Sequence, residues 1–498
     1  MPSPASADAD GLFAGLFARG PAAATVTDRA WIAAMLDAEV ALAQASADAG
    51  RLDPDHAARI AAAADPDAFD PAALGRAAAE GAGNPVPALV RTLVERVDDG
   101  TPEGREAAGA VHRGATSQDV VDTAAMLIVR RALAALRPDL QRAADACADL
   151  AAAHRDTPIV GRTLMQQAVP TTFGLKAAGW LVGLDDARGR VDRADRDDVA
   201  AQLGGAVGTL AALGDDGIAV HAAFAAQLGL AEPTVPWHTS RTRVVAITSA
   251  LATVAAAVGK VAGDIVLLAQ TEVGEVHEDP AGGGSGRGGS STMPHKRNPV
   301  AAVSARACAM RVPGLVATLV SAAGSHEHER AAGAWHAEWE PLTELLRVTG
   351  SAVAWLAESL PALRVDRDRM RENLDRTGGL IMTEAVVAAL TPTLGRLPAH
   401  DRVSAAARRA VDDGVPLRDV LRADPEIDGR LGTDGIDRAL DPARYVGSAG
   451  AFVDRALAAH RAAGDAPPDA GPGRGGTGAA GDAMPLPSNA EPPHEAPR

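Results

Sequence analysis

Apolar residues recur at alternating steps of three and four along residues 241–278, which is the spacing of one face of an α-helix. The stripe runs from Val244 to Leu268, and its next two steps are Glu272 and Glu275. The pattern predicts a helix of about 35–40 residues, roughly 50–60 Å long. A helix of that length needs other long helices beside it, so the pattern predicts a helical bundle.

Similar helical runs lie at about 118–153, 172–200 and 297–322, and another begins near residue 331. We expect Pro138 to interrupt the first of them. Shorter helical patterns broken by Pro and Gly flank these runs on both sides. The predicted fold class is therefore all-α, with three helical domains and a central bundle of long helices.

Changes in composition along the chain suggest where these domains begin and end. The last stretch is rich in Pro, Gly and Ala and has almost nothing apolar to bury, so we expect it to be disordered. The predicted units are an N-terminal helical domain (1–110), a central helical bundle (111–360), a C-terminal helical domain (361–461) and a disordered tail (462–498).

Overall composition narrows the class of protein. A hydrophobic fraction of 47% with 22% charged residues is typical of a soluble globular protein. The net charge of -16 argues against nucleic acid as a partner, because nucleic-acid binding needs a basic surface. Two cysteines suggest a reducing, cytoplasmic location. We expect no signal peptide and no membrane partner, since no run of about 18 apolar residues is uninterrupted.

Rare polar residues concentrate in residues 288–299, after a run of glycines. The chain has three lysines and four asparagines, and Lys296 and Asn298 both lie in this segment beside Ser290 and Ser291. Where arginine is the usual cation, a lysine suggests that a compact ammonium group is needed. The segment is therefore a candidate site for an anionic ligand or intermediate.

Three other polar clusters stand out. Residues 112–119 precede a helical run, so Thr116 or Ser117 can cap that helix, and its N-terminus can also attract an anion. Residues 161–167 are predicted to form a loop before the next helix. His326 and His328 could bind a metal, but the pattern lacks a metalloprotease or cysteine-based motif, so no metal is expected.

Two of these segments resemble known signatures. Residues 289–299, with the sequence GSSTMPHKRNP, resemble the signature of the fumarase/aspartase superfamily, and residues 112–119 resemble its first signature region. The resemblance covers about residues 10–455. It implies a homotetramer in which each active site takes its signature regions from three chains, and it implies no cofactor.

Segments 202–210, 236–241 and 327–339 resemble the cycloisomerase branch of that superfamily. Other members generally carry a catalytic histidine at the position of Leu164, and an apolar side chain cannot protonate a leaving group. The resemblance therefore implies intramolecular lactonisation of a muconate tricarboxylate. Adenylosuccinate lyase, or another lyase of the superfamily, is the alternative, and a non-catalytic helical scaffold is a third possibility from a different class.

The resemblance also implies roles for individual residues. Ser290 is the expected proton carrier, Ser291 is the second candidate, and His112 either binds substrate or takes part in proton transfer. Arg241 and Arg330 could instead form salt bridges within the fold. The candidate substrate-binding residues are Thr116, Ser117, Gln166, Arg241, Lys296, Asn298 and Arg330.

Overall fold

Helices carry most of the regular structure, as the all-α prediction requires. The structure is a computed structural model that describes residues 11–279, 288–289, 293 and 296–465. Its first helices are short: α1 (Ala14–Phe17), α2 (Asp28–Asp48), α3 (Pro54–Ala63), α4 (Pro71–Glu80), α5 (Val86–Val97) and α6 (Pro102–Ala108).

A capping side chain followed by proline starts several of these short helices. Asp53 accepts a hydrogen bond from a backbone N–H in the first turn of α3, and Pro54 follows it. Thr101 and Pro102 have the same arrangement in α6. Proline suits the first helical position because its missing N–H would have no partner within the helix. The prolines in this region therefore mark where helices begin.

Longer helices form the predicted bundle in the middle of the chain. Helix α10 packs against α8, α11 and α12, and α12 also packs against α7. The helices of this middle part of the chain, long and short, are α7 (Ser117–Ala153), α8 (Phe173–Asp197), α9 (Gly217–Leu228), α10 (Thr242–Leu268), α11 (Val300–Ala323) and α12 (His336–Ser359).

Helix α7 continues through Pro138, so the predicted interruption is wrong. Proline inside a helix costs about 3 kcal/mol, because it removes a hydrogen bond and crowds the preceding turn. Leu133, Leu136 and Leu140 on either side of Pro138 are buried. Burial of such side chains contributes roughly 1.5–3 kcal/mol each, which is enough to offset the cost.

Helix α10 is shorter than predicted, with 27 residues. Its apolar stripe is buried along this whole length, which confirms the predicted core face. The expected continuation through Glu272 and Glu275 is wrong, since a turn follows α10 and Gly274 has a left-handed φ of 65°. Glu275 is fully buried, and both of its oxygens accept hydrogen bonds from Arg162 at 2.8 Å.

A β-hairpin separates α7 from α8 where the sequence predicts a loop. Strand β1 (Pro158–Thr163) pairs antiparallel with β2 (Gln166–Thr172). Leu164 and Met165 form the two-residue tip with φ values of 50° and 68°, and positive φ at both positions is what a type I′ turn requires. Because Leu164 is 98% exposed, the hairpin presents an apolar tip away from the hydrophobic core.

The C-terminal part forms a second hydrophobic core. Strand β3 (Val276–Glu278) pairs antiparallel with β4 (Leu363–Val365), and α18 (Ala449–Asp465) packs against α8. The second core includes Val386, Leu390 and Leu421. The intervening helices are α13 (Arg367–Asp375), α14 (Thr383–Leu394), α15 (Arg396–Asp413), α16 (Leu417–Ala423) and α17 (Pro425–Ala439).

The first core joins the N-terminal helices and the bundle into one continuous apolar cluster. The domain boundaries at 110/111 and 360/361 remain predictions. Helix α18 continues to Asp465, beyond the predicted start of the tail at residue 462. The rest of that tail, residues 466–498, lies outside the described residues.

Helices α10 and α11 have the length and apolar composition that could cross a membrane. They pack against each other, and 50% of the most apolar window of α10 and 39% of that of α11 are buried inside the protein. Val303, Met310 and Val320 remain exposed along α11. These side chains are available to contact another molecule.

Candidate active site

Asp119, in the first turn of α7, connects three separate segments of the chain. Its carboxylate accepts hydrogen bonds from the backbone N–H groups of Thr116, Gly204 and Gly205, each at 2.9 Å. His238 Nε2 lies 2.6 Å from Oδ1 of the same carboxylate, and both side chains are buried. We call these five residues the Asp119 cluster. Its contacts fix the N-terminal end of α7 against the loops around it.

Gly204 is required by this packing. A Cβ atom at this position would lie 2.7 Å from His238 Cε1 and 2.7 Å from Pro236 Cβ, which is closer than real Cβ contacts. The absence of a side chain therefore allows the backbone N–H of Gly204 to reach Asp119.

The three segments that resemble the cycloisomerase branch meet around this cluster. The Trp237 backbone N–H donates to Gln202 Oε1 at 2.9 Å, which joins segment 236–241 to segment 202–210. The Thr239 hydroxyl donates to the His328 carbonyl at 2.9 Å, which joins segment 327–339. The segments are therefore parts of one spatial unit at the N-terminal end of α7.

His112 lies just before this unit in a left-handed conformation, with φ of 61°. Its Nδ1 is 2.7 Å from Oε1 of Glu39, a buried residue of α2. Burial alone would lower the pKa of His112, but the hydrogen bond to Glu39 and the charges of Glu39 and Asp119 outweigh it and raise the pKa above its usual value. His112 is thus biased toward the positively charged imidazolium form.

The sequence analysis missed Glu39. A signal was present, since Glu39 lies three residues after Leu36 and three before Leu42, on a face of α2 that is otherwise apolar. A carboxylate on such a face needs a partner, because burying an unpaired charge is very unfavourable.

Thr116 and Ser117 lie at the N-terminus of α7, as predicted. The helix begins at Ser117, Thr116 is its N-cap residue, and both residues are half-buried. A helix N-terminus favours anions because its first N–H groups have no partner within the helix. Their hydroxyls are therefore well placed beside a position that favours negative charge.

Arg330 lies beside the Asp119 cluster, where its side chain contacts backbone carbonyl groups. Its guanidinium donates to the carbonyls of Gly205 and Glu329, and the side chain is half-buried. Burial lowers the pKa of Arg330, and Asp119 and Asp122 oppose this shift. The structure therefore brings together His112, Thr116, Ser117 and Arg330, four of the residues that the sequence predicts for the site.

Arg241 has a different environment from the one predicted. Its guanidinium is buried and donates to Asp122 at 2.7 and 3.0 Å and to Glu338 at 2.5 Å, while it lies over the Trp237 ring. Burial would lower the pKa of Arg241, but these two carboxylates outweigh it and raise the pKa. These contacts are those of a structural ion pair, the alternative role that the sequence left open, and the assignment of Arg241 to substrate binding stays a prediction.

His326 belongs to the same buried ion-pair network. Its Nε2 lies 3.0 Å from Glu338 Oε1, and Trp335 Nε1 donates to Asp122 Oδ1 at 3.0 Å. The His326-x-His328 pattern that raised the question of a metal site therefore places its first imidazole against a carboxylate of α12.

Gln166 lies at the start of β2, next to the exposed hairpin tip, and is itself exposed. Among the described residues, no hydrogen bond or ion pair joins Gln166 or Leu164 to the Asp119 cluster. The described contacts of the hairpin tip and those of the cluster are therefore separate within the chain.

Residues Lys296 and Asn298 lie at the base of the 288–299 segment. The backbone N–H and the side-chain Nδ2 of Asn298 both donate to the Gly288 carbonyl, at 2.9 and 3.1 Å. Lys296 is exposed, and its backbone N–H donates to the Met293 carbonyl at 3.0 Å. Ser290 and Ser291, the predicted proton carriers, lie outside the described residues.

Glu278 fixes the helix that follows this segment. Its carboxylate accepts the backbone N–H groups of Ala301 and Ala302 at 3.0 and 2.9 Å, and the Ser359 hydroxyl donates to it at 2.5 Å. Glu278 lies before the segment and α11 lies after it, so this cap closes the chain across its base. The ends of the segment are therefore well anchored.

A cavity of about 890 Å³ lies between the N-terminal helices and α12, and its lining includes Trp31, Met35 and Trp339. None of the predicted site residues that the structure describes lines it. This cavity is therefore separate from the described part of the candidate site.

Comparison with known proteins identifies the family. Residues 16–314 match the family model described as "Lyase", and residues 379–456 match the one described as "Adenylosuccinate lyase C-terminus". A protein of Pseudomonas aeruginosa named 3-carboxy-cis,cis-muconate cycloisomerase is 48% identical over 459 residues, which cover 92% of this chain and 98% of the relative. A protein of Streptomyces davaonensis named nitrosuccinate lyase is 48% identical over 455 residues, covering 90% and 94%.

A solved structure gives the same assignment. The 3-carboxy-cis,cis-muconate lactonizing enzyme of Pseudomonas putida superimposes with a TM-score of 0.85 and 42% sequence identity, covering 91% of this chain and 99% of that one. The family match over more than half of the chain, the relatives at nearly full length and the common fold agree. The chain therefore belongs to the lyase family of the fumarase/aspartase superfamily.

Proposed function

We propose that the protein is a 3-carboxy-cis,cis-muconate cycloisomerase, which converts that tricarboxylate into 4-carboxymuconolactone during the breakdown of protocatechuate. The similarity over 92% of the chain to the P. aeruginosa cycloisomerase carries this proposal. The meeting of the three branch-like segments around Asp119 supports it from the geometry. The two buried cysteines agree with a cytoplasmic enzyme.

The reaction needs little from the protein beyond positioning and charge stabilisation. One substrate carboxylate oxygen forms a bond to a diene carbon, and the π electrons move toward the neighbouring carbon, which then takes a proton. Because nucleophile and electrophile belong to one molecule, the enzyme gains mainly by holding the reactive conformation. Negative charge develops on the carboxylate next to that carbon, so fixed cations and N–H donors lower the barrier.

Charged and polar residues of the chain fit these requirements. His112 and Arg330 would bind substrate carboxylates, and Thr116 and Ser117 would donate hydrogen bonds at the N-terminus of α7. Lys296 and Asn298 would stabilise the developing charge from the other side. Ser290 would deliver the proton, with Ser291 as the second candidate, and its hydroxyl would be reprotonated from solvent. No step requires a metal or an organic cofactor.

A homotetramer with shared active sites is part of the proposal. Within one subunit, no hydrogen bond or ion pair among the described residues joins the Asp119 cluster to Lys296 and Asn298 or to the hairpin tip. The apolar surface along α11 needs a partner, and the exposed Leu164 at a tight turn suits insertion into a neighbouring subunit. Gln166, beside that tip, would then reach the substrate of another subunit.

Leu164 restricts the reaction type. An apolar group cannot protonate an amine or alkoxide leaving group, which argues against the adenylosuccinate and argininosuccinate reactions. In reverse, the cycloisomerase expels a carboxylate, which needs no acid. Expulsion of nitrite needs none either, so Leu164 is compatible with both reactions.

Nitrosuccinate lyase is therefore the second candidate function, since the S. davaonensis enzyme of that name is as similar as the cycloisomerase. The three cationic groups at the candidate site, His112, Arg330 and Lys296, match a tricarboxylate better than a dicarboxylate. We therefore favour the cycloisomerase.

A comparison of three substrates, each assayed alone, tests the proposal. Purified protein would be mixed separately with 3-carboxy-cis,cis-muconate, nitrosuccinate and adenylosuccinate, and kcat/KM would be compared. We expect loss of the diene ultraviolet absorbance with the muconate, at a kcat/KM at least about a hundredfold above the others, the scale of discrimination that unpaired polar groups in a site can give. Release of nitrite at the higher kcat/KM would replace the cycloisomerase with the lyase. Absence of turnover with all three would support the non-catalytic scaffold.

A further inference from the structure

Glu39 is a buried acid that the proposed mechanism does not use. It is 2% exposed, on the face of α2 that packs against the bundle. An ionised carboxylate in such a place needs a hydrogen-bonded partner, because desolvation of an unpaired charge is very unfavourable. The partner in the structure is His112, whose Nδ1 lies 2.7 Å from Glu39 Oε1.

The geometry of His112 makes this contact informative. Its backbone is left-handed, with φ of 61°, a conformation that non-glycine residues hold only when their surroundings fix it. Its side chain is 22% exposed, so part of the ring remains accessible while Nδ1 is engaged. No hydrogen bond to another described residue occupies Nε2. The ring is therefore anchored through one nitrogen and available through the other.

We propose that Glu39 is a positioning residue that accepts a hydrogen bond from Nδ1–H of His112, fixes the ring and stabilises its imidazolium form, whose Nε2–H donates to a substrate carboxylate. This inference rests on the proposed function for the identity of the substrate. The hydrogen bond at one ring nitrogen determines what the other nitrogen can do, as in other histidine sites held by a carboxylate. It assigns His112 to carboxylate binding and leaves proton transfer to the serine of the 288–299 segment.

The charges around His112 agree with this assignment. Glu39 on α2 and Asp119 on α7 both raise the pKa of His112 and outweigh the effect of burial. Asp119 is itself hydrogen-bonded to His238 and to three backbone N–H groups, so Glu39 is the carboxylate in direct contact. An imidazolium is a poor base and a good donor, which is what a carboxylate-binding group requires.

Kinetics of a charge-removing variant test the role. Glu39→Gln keeps the shape of the side chain and removes its charge, and Asp37→Asn makes the same change at an exposed position of the same helix. At pH 8 we expect Glu39→Gln to raise KM for 3-carboxy-cis,cis-muconate about tenfold, because a smaller fraction of His112 then carries the charge that binds substrate. The gap should narrow at lower pH, as His112 becomes protonated in both proteins. Asp37→Asn should match the wild type, and an unchanged KM for Glu39→Gln at pH 8 would overturn the proposal.

A second measurement does not depend on catalysis. The rate of hydrogen–deuterium exchange at the imidazole C2 position, followed by mass spectrometry across pH, reports the pKa of each histidine in the intact oligomer. We expect a midpoint for His112 above 6.5 in the wild type and a lower midpoint in Glu39→Gln, because the hydrogen bond and the charge of Glu39 both raise the pKa. A wild-type midpoint at or below 6.5 would contradict the inference even if the variant failed to fold.

The two readouts separate this inference from the proposed function. If the wild type does not convert the muconate but the His112 midpoint shifts as expected, the substrate is wrong and the positioning role stands. If the muconate is converted and the midpoint does not respond to Glu39→Gln, the function stands and the positioning role is wrong.

Discussion

The Asp119 cluster and the 288–299 segment contribute to the candidate site in different ways. In the cluster a buried carboxylate accepts three backbone N–H groups and contacts His238, so side chains and backbone hold each other in one arrangement. In the segment the described contacts lie at the base, where Asn298 pairs with Gly288 and Glu278 caps α11. Lys296 is exposed.

This difference suggests that the two regions have different roles in the reaction. A substrate with three carboxylates needs fixed donors in a defined geometry, and a buried, fully hydrogen-bonded cluster provides them. We propose that the 288–299 segment, whose described contacts lie at its base, delivers the proton to bound substrate. We therefore expect changes in the cluster to reduce both stability and activity, and changes in the segment to reduce activity alone.

The largest effect should come from Asp119→Ala. The substitution leaves the N–H groups of Thr116, Gly204 and Gly205 and the ring of His238 without their acceptor. Unsatisfied buried polar groups cost roughly 1–3 kcal/mol each. We expect a destabilisation of that size, measured as a lower urea midpoint at fixed protein concentration.

Asp37→Ala is the control, since Asp37 is an exposed acid paired with Arg131 at the surface. Exposed pairs of this kind contribute about 0–1 kcal/mol. If Asp119→Ala were no less stable than Asp37→Ala, the cluster would not be the rigid part of the site.

The second largest effect is expected in the 288–299 segment. Ser290→Ala should lower kcat at least about a hundredfold, in line with the loss of a general acid or base, and leave the urea midpoint and the oligomeric state unchanged. Ser291→Ala serves as the neighbouring control and should retain most of the activity. Near-normal turnover of Ser290→Ala, with loss in Ser291→Ala, would move the proton transfer to Ser291.

Whether a feature of the fold could be predicted from the sequence depends on how far apart in the chain the contacting residues lie. The stripe along 241–278 predicted the bundle because helical periodicity is a local property of the chain. It did not predict where α10 ends, because the end depends on Glu275 turning inward to Arg162 and on the pairing of β3 with β4. The hairpin tip was likewise missed, since Leu-Met is not the Asn-Gly or Asp-Gly sequence that usually marks a type I′ turn.

The same limit applies to the site. The motif at 112–119 indicated the N-terminus of a helix and its hydroxyls, and the structure places them there. The ion pairs of Arg241 could not be predicted, because nothing local shows that Asp122 of α7 and Glu338 of α12 converge on its guanidinium. The position of Glu39 on an apolar helix face indicated a buried partner, but its partner His112 lies on another segment and could not be identified from the sequence.

The third prediction concerns the base of the segment. Gly288 has φ of 86°, and an added Cβ would lie 2.5 Å from the Asn298 carbonyl oxygen. Gly288→Ala must therefore displace the contact that anchors the segment, and we expect kcat/KM to fall about tenfold, or roughly 1.4 kcal/mol. Gly189→Ala, at an exposed helical position with nothing within 4 Å of the added Cβ, is the control. A large fall in the urea midpoint of Gly288→Ala would show that this segment supports the fold as the cluster does.

The smallest effect is expected in acid, within the ion-pair network that holds the rigid region together. Burial would raise the pKa of Glu338, but the hydrogen bond from His326 and the contacts with Arg241 outweigh it and hold the pKa below the usual value of 4.5. A carboxyl group whose pKa is lower in the folded protein than in the unfolded chain stabilises the fold at pH values above its unfolded pKa. That contribution is lost as the pH falls below about 4.5 and through the folded value.

His326→Gln should therefore raise the midpoint of acid unfolding by a few tenths of a pH unit, because Gln can still donate a hydrogen bond to Glu338 but carries no charge. Circular dichroism from pH 7 to pH 2.5 would measure this. His400→Gln is the matched control, since His400 is exposed and lies 3.5 Å from Asp401 at the surface. Equal acid midpoints for the two variants would mean that Arg241 alone keeps Glu338 ionised. The rigidity around Asp119 would then depend on the pairing of α7 with α12 through Arg241, and not on His326.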